Sequence, residues 1–163
     1  MSDKIFITLD QYWMGRNITY KKDLTTQLIN NAKYIVDCTN KLLNMAVADG
    51  VVISNQKVNS GWRPKSINDK TPGTDPNSPH VDCNGIDLGE YADLRLRKWI
   101  DANPDKVIEA GFIAIENFKF TPTWCHLQTR LPLSWQKGPV IYIPVKDGWQ
   151  HWKKKDPVLK SLL

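Results

Sequence analysis

The chain has 163 residues, 41% of them apolar and 24% charged, with seven tryptophans. That profile excludes a disordered segment, and the length suits one domain with a real core rather than two. The formal net charge of +5 fits an anionic partner (nucleic acid, an acidic membrane, a wall polymer) or simply a basic soluble domain. No apolar run is long enough for a membrane span. The opening MSDKIFITLD reads as neither a signal peptide nor an anchor. Cys38, Cys83 and Cys125 are widely spaced with no C-x-x-C pair. Free thiols in a reducing compartment are therefore expected, not a cysteine-based metal site.

Taken in order, Phe6–Leu9 reads as a short strand or a docked arm, and Tyr12–Arg16 as an aromatic-basic loop. Asp23 is the expected N-cap of a long amphipathic helix. From Leu24, apolar residues recur at helical spacing through Leu28, Ala32, Ile35, Val36, Leu42, Leu43, Ala46 and Val47 until Gly50 stops it. Tyr34 and Cys38 on this helix are expected to pack. Val51–Ser54 and Lys57–Ser60 read as β, and Gly61 as a tight turn or a close backbone approach. Residues 64–79 carry four prolines and a glycine among polar residues, a long loop of the kind that carries function. Ile86–Leu88 returns to extended structure. Leu94, Leu96, Trp99 and Ile100 mark a second helix, halted near Asn103–Pro104, with one more turn over Lys106–Ala110. Strands are expected at Phe112–Ile115, ending at Glu116, then at Trp124–Thr129 and Val140–Ile143. Helices beside an antiparallel sheet make this an α+β single domain.

His80 and Asp87 are separated by six residues, and Asn84-Gly85 permits the turn that would bring them together. His126 on a neighbouring strand supplies a third group. Two histidines and one carboxylate hold a zinc ion and leave one position open, which is a catalytic layout. A His–Asp pair at this spacing is also common by chance.

Ser60-Gly61-Trp62-Arg63-Pro64, Ser78-Pro79-His80 through Asp87, and Trp124-Cys125-His126 resemble the zinc-dependent D-Ala-D-Ala carboxypeptidase and L-alanoyl-D-glutamate endopeptidase superfamily. Its relatives include D-alanyl-D-alanine dipeptidases, phage endolysins and the hedgehog signalling domain. Gly15-Arg16, Asn31-Ala32, Asn40–Leu43 and Gly111–Glu116 extend the likeness over most of the chain, toward a phage-associated branch. The resemblance implies a hedgehog/DD-peptidase-like fold: an arm and helix in 1–50, a catalytic sheet in 51–145 and a basic, aromatic tail in 146–163. It implies Zn2+ held by His80, Asp87 and His126, with Arg63 on the substrate carboxylate or the carbonyl oxygen. Ser78 would hydrogen-bond the substrate or a ligand. The implied substrate is the peptidoglycan stem peptide, with neither nucleic acid nor a membrane as partner. The protein would be made in the cytoplasm and act at the bacterial wall after phage-mediated release or as a virion component.

This chain departs from the pattern at the general base, because no acid lies between Asn117 and Cys125. Glu116 is the nearest carboxylate, and a hairpin of 111–116 with 123–128 would fold it toward the site; otherwise it is an ordinary strand-end glutamate. Asp82 is a weaker candidate for the base and is read first as a solvated loop residue. Cys83 and Cys125 are expected to be packed thiols, with Cys125 on the face opposite His126. Trp62 and Trp124 are assigned either to the cleft wall, as substrate-binding residues, or to the core. His151 is expected at the surface. The competing readings are a non-catalytic zinc-binding module of the same fold and, well behind it, a basic nucleic-acid-binding protein.

Overall fold

The computed structural model describes residues 4–132, 141–146 and 148–151. The chain begins with a docked arm. The backbone N–H groups of Phe6 and Ile7 donate to Asn40 Oδ1 at 2.8 and 3.1 Å, and the Asn40 amide donates back to the Ile7 carbonyl. Helix α1 (Leu9–Trp13) then starts at a capping box. The Thr8 hydroxyl accepts from Gln11 N–H, and the Gln11 side chain accepts from Thr8 N–H. Leu9, expected to be extended, is thus helical, as are Tyr12 and Trp13, expected in a loop. Helix α2 spans Arg16–Thr19.

Helix α3 (Thr26–Ala48) is the long scaffold helix, but Thr25 caps it, not Asp23. The Thr25 hydroxyl accepts from Leu28 N–H at 3.2 Å, whereas Asp23 closes a 3-10 turn over Lys21–Asp23. Ala32, Ile35, Val36, Leu42, Leu43 and Ala46 bury one face. Cys38 is buried as expected. Tyr34, expected to pack, is 54% exposed; its hydroxyl and Cys38 Sγ lie over Gly111, where a Cβ would be 3.0 Å and 2.6 Å from them.

Among the described residues the sheet has six strands: β1 (Val58–Ser60), β2 (Gly85–Gly89), β3 (Ala114–Glu116), β4 (Trp124–Gln128), β5 (Ile141–Val145) and β6 (Gly148–His151). Their order is β1-β2-β4-β3-β5-β6, and every neighbouring pair is antiparallel. The polar loop contains a short helix, α4 (Lys65–Asn68). Two helices, α5 (Arg95–Ala102) and α6 (Pro104–Ala110), connect β2 to β3. Pro104 stands at the first turn of α6, where its missing N–H costs nothing. The α+β class expected from the sequence is the class observed.

Three strand expectations change. Val51–Ser54 is irregular, since Asn55 at φ 52° breaks any extended path into β1. β3 is shorter than expected, although Ile113 N–H still donates to the Gln128 carbonyl at 3.0 Å. Trp149–His151 is not a loose tail: it pairs with β5, and the Trp149 indole donates to the Asp101 carbonyl at 2.8 Å. Val140 and Lys153–Lys155 lie outside the described residues.

The sheet has two different faces, as period-two alternation requires. Ile86, Leu88, Ile115, Cys125 and Leu127 join the core cluster with α3, α5 and α6. Asp87 and His126, on the other face, pair directly across β2 and β4. On β3, Ala114 pairs with Gln128 and Ile115 with Leu127, so the same register sets Glu116 beside His126. Three strands thereby bring three chemistry-bearing side chains into one row.

Candidate metal centre

His80 is held from both sides by backbone. Its N–H points to the Ser78 hydroxyl at 3.4 Å, its carbonyl accepts from Arg63 N–H at 3.0 Å, and Nδ1 lies 2.8 Å from the Gly61 carbonyl. Gly61 is obligatory here, since a Cβ would lie 1.9 Å from the Tyr12 carbonyl oxygen. The close approach expected of this glycine is therefore real. A carbonyl oxygen only accepts, so Nδ1 of His80 carries the proton and Nε2 presents its lone pair. That lone pair faces Asp87, with Nε2 3.4 Å from Oδ2.

His126 completes the set from β4. Its Nε2 lies 3.1 Å from Gln128 Oε1 and therefore donates; Nδ1 lies 2.7 Å from Asp87 Oδ1. His80, Asp87 and His126 are all buried, and one ligand atom of each lies within 4.8 Å of the others. Two imidazole lone pairs and a carboxylate thus converge on one point. Three acceptors at that separation repel unless a cation stands among them.

The ionisation of the trio follows from the same geometry. Burial pushes the Asp87 carboxyl upward, but the two imidazoles outweigh it and hold the group well below the usual carboxylate range. Burial lowers His80, and Asp87 only partly offsets this, so His80 stays neutral. Burial also works against His126, yet the Asp87 hydrogen bond and charge hold it above its ordinary value. A proton held on His126 Nδ1 would face the Asp87 carboxylate in place of a cation. A divalent ion would take over that role, as metal binding at deprotonated ligands displaces protons. The two-nitrogen, one-carboxylate donor set could hold such an ion.

The other expected site residues divide. Glu116 is half-buried beside His126; burial raises its carboxyl pKa, the His126 charge lowers it and the Asp87 charge raises it. Arg63 is half-buried, and among the described residues its guanidinium donates to neutral oxygens, Ser60 Oγ at 3.2 Å and Asn68 Oδ1 at 3.3 Å. Trp124 is half-buried two residues from His126 on the same strand face. Trp62, by contrast, is 1% exposed, packs edge-on against Trp13 and donates its indole N–H to the Val81 carbonyl. It is a core residue with no surface left for a substrate. Ser78 is buried, and its hydroxyl serves the His80 turn rather than the open side.

Asp82 is not simply solvated: it pairs with Arg130 at 2.6 Å. Cys83 is fully buried at φ 60°, and Cys125, on the core face as expected, meets the Glu90 carboxylate at 3.2 Å. His151 is partly buried and stacks near Tyr142. Gln128 and the Gly61 carbonyl, which orient the two histidines, escaped the sequence reading. Gln128 was accessible to it as the second residue after His126 on one strand; a backbone carbonyl leaves no such trace.

Compared with known protein families, curated proteins and solved structures, the chain matches none. No helix among the described residues is long and apolar enough to cross a membrane.

Proposed function

We propose that this protein is a zinc-dependent peptidase that hydrolyses a peptide bond in peptidoglycan stem peptides, on a hedgehog/DD-peptidase-like fold. The observation that carries the reading is the convergence of His80 Nε2, Asp87 and His126 Nδ1, three buried acceptors with Glu116 alongside. Bound to these side chains, zinc supplies Lewis acidity that acidifies water and polarises a carbonyl.

The chain's own groups do the rest. The Glu116 carboxylate takes a proton from the attacking water and returns it to the leaving amine. The Arg63 guanidinium, which has no carboxylate partner among the described residues, binds the substrate carboxylate or the carbonyl oxygen as it gains charge. Trp124 walls the cleft. The net charge of +5 suits an anionic wall polymer, and the proposed site of action is the bacterial wall, during phage lysis or wall remodelling.

The test is metal content by plasma mass spectrometry, wild type beside His80→Ala, followed by muropeptide hydrolysis with Glu116→Gln. Expected are about one zinc per chain, lost in His80→Ala, and a roughly 100- to 10,000-fold loss of turnover in Glu116→Gln with zinc retained. A wild type that takes up no metal overturns the reading. Zinc without hydrolysis leaves the non-catalytic binding module instead.

A further inference from the structure

Beyond the metal trio the same sheet face continues into a groove of about 360 Å³ lined by Asn55, Lys57, Asn59, Gly89, Glu90, Tyr91 and Thr123. It lies one rung along the strands from the site. Asp87 and His126 are paired on β2 and β4, and Gly89 and Trp124 are the next pair on that face, about 7 Å further on. Gly89 is the floor. A Cβ built there would meet Asn59 Oδ1 at 3.1 Å and Lys57 Cβ at 3.2 Å, which shows that these side chains share the face of Asp87 and His126.

The groove carries two charged side chains, Lys57 and Glu90. Glu90 is a wall residue, but both its oxygens are occupied: Oε1 accepts from Tyr91 N–H and Leu96 N–H, and Oε2 from Arg97 N–H and the Cys125 thiol. The Tyr91 hydroxyl is committed to the Ser54 carbonyl at 3.0 Å. Lys57, Asn55 and Asn59 are exposed, and among the described residues Lys57 has no acidic partner. An unpaired ammonium flanked by two carboxamides offers a carboxylate one charged donor and the adjoining peptide groups two amide partners.

We propose that this groove is a substrate subsite, in which Lys57 binds an internal carboxylate of a peptide whose scissile bond lies at the metal centre. The inference rests on the peptidase reading above and adds the ligand class to it: an acidic peptide, with its carboxylate two or three residues from the bond cut, since an extended chain advances about 3.3–3.6 Å per residue.

The test uses the full-length zinc-loaded chain carrying Glu116→Gln, so that bound peptide persists. The probes are the pentapeptide L-Ala-γ-D-Glu-L-Lys-D-Ala-D-Ala and the same peptide with its D-glutamate carboxylate amidated. Calorimetry gives affinity, and amide resonances of Asn59, Gly89 and Thr123 report the location. Lys57→Met is expected to weaken the acidic peptide about fivefold, the scale of one exposed ion pair, and to leave the amidated one unchanged. Lys57→Glu is expected to reverse the preference. Equal effects on both peptides, no effect on either, or no binding of either overturns the subsite. Wild-type hydrolysis, measured in parallel, separates the two claims. Cleavage with binding indifferent to Lys57 removes the subsite and keeps the peptidase. Lys57-dependent binding without cleavage does the reverse.

Discussion

Asp87 and His126 stand directly opposite each other on neighbouring antiparallel strands, and their side chains meet at 2.7 Å. A slip of one residue between β2 and β4 would send one of them into the apolar face that holds Ile86 and Leu127. Core packing and site assembly therefore depend on one register. Four expectations follow from this arrangement and its supports.

Gln128 fixes the His126 ring through Nε2, which leaves Nδ1 for the metal. Gln128→Leu keeps the volume and removes that acceptor. Zinc affinity is expected to fall roughly tenfold to a hundredfold, as for other residues that orient metal-bound histidines. Competition with a chromophoric chelator measures it.

A proton and a metal compete for Nδ1 of His126, whose pKa the fold holds above the ordinary 6.5. Zinc affinity is expected to be flat at high pH and to fall about tenfold per unit once pH drops through the raised value. In the metal-free protein the sign is reversed. The raised pKa stabilises the fold fully below pH 6.5, and that contribution disappears as pH rises through it. Zinc titrations and urea midpoints across this interval read the two trends.

Gly61→Ala is expected to destabilise the protein by about 3 kcal/mol, at the upper end for overpacking. The added Cβ would lie 1.9 Å from the Tyr12 carbonyl oxygen, which is rigid backbone. The displaced Gly61 carbonyl also frees His80 Nδ1, so zinc affinity falls with stability. Urea denaturation and metal titration on one sample check both.

Burial pushes the Cys83 thiol up to about 12, with the Tyr12 hydroxyl pulling weakly the other way. The folded state holds this proton more tightly than an unfolded thiol of about 8.5. Its stabilising effect is intact below that value and is lost as pH climbs from there toward 12. Native protein at pH 8 is expected to resist thiol reagents, whereas all three buried cysteines label after denaturation. Rapid native labelling of Cys83 would contradict this.

Local patterning sufficed for much of this architecture. The apolar stripe of α3, the stop at Gly50, the extended segments around Asp87 and His126 and the placement of Cys125 away from His126 all depend on the 3.6 and 2.0 periods of the chain. The caps were less legible, because Asp and Thr are both favoured capping residues and only the observed hydrogen bond chooses Thr25 over Asp23. Short β segments were the least legible. Val51–Ser54 has strand composition without a strand partner, and Gly148–His151 becomes a strand only because β5 lies beside it.

The site shows the same division. Residue types and spacing brought His80, Asp87 and His126 forward as candidates, and the resemblance to a zinc peptidase superfamily assigned them to a metal. Tertiary structure alone decided the rest. It buried Trp62 against Trp13, turned Ser78 onto the His80 backbone and paired Asp82 with Arg130. It also set Glu116 beside His126 and opened the groove at Lys57. The Trp62–Trp13 and Asp82–Arg130 contacts join residues far apart in the chain, and no local pattern encodes which strand becomes whose neighbour.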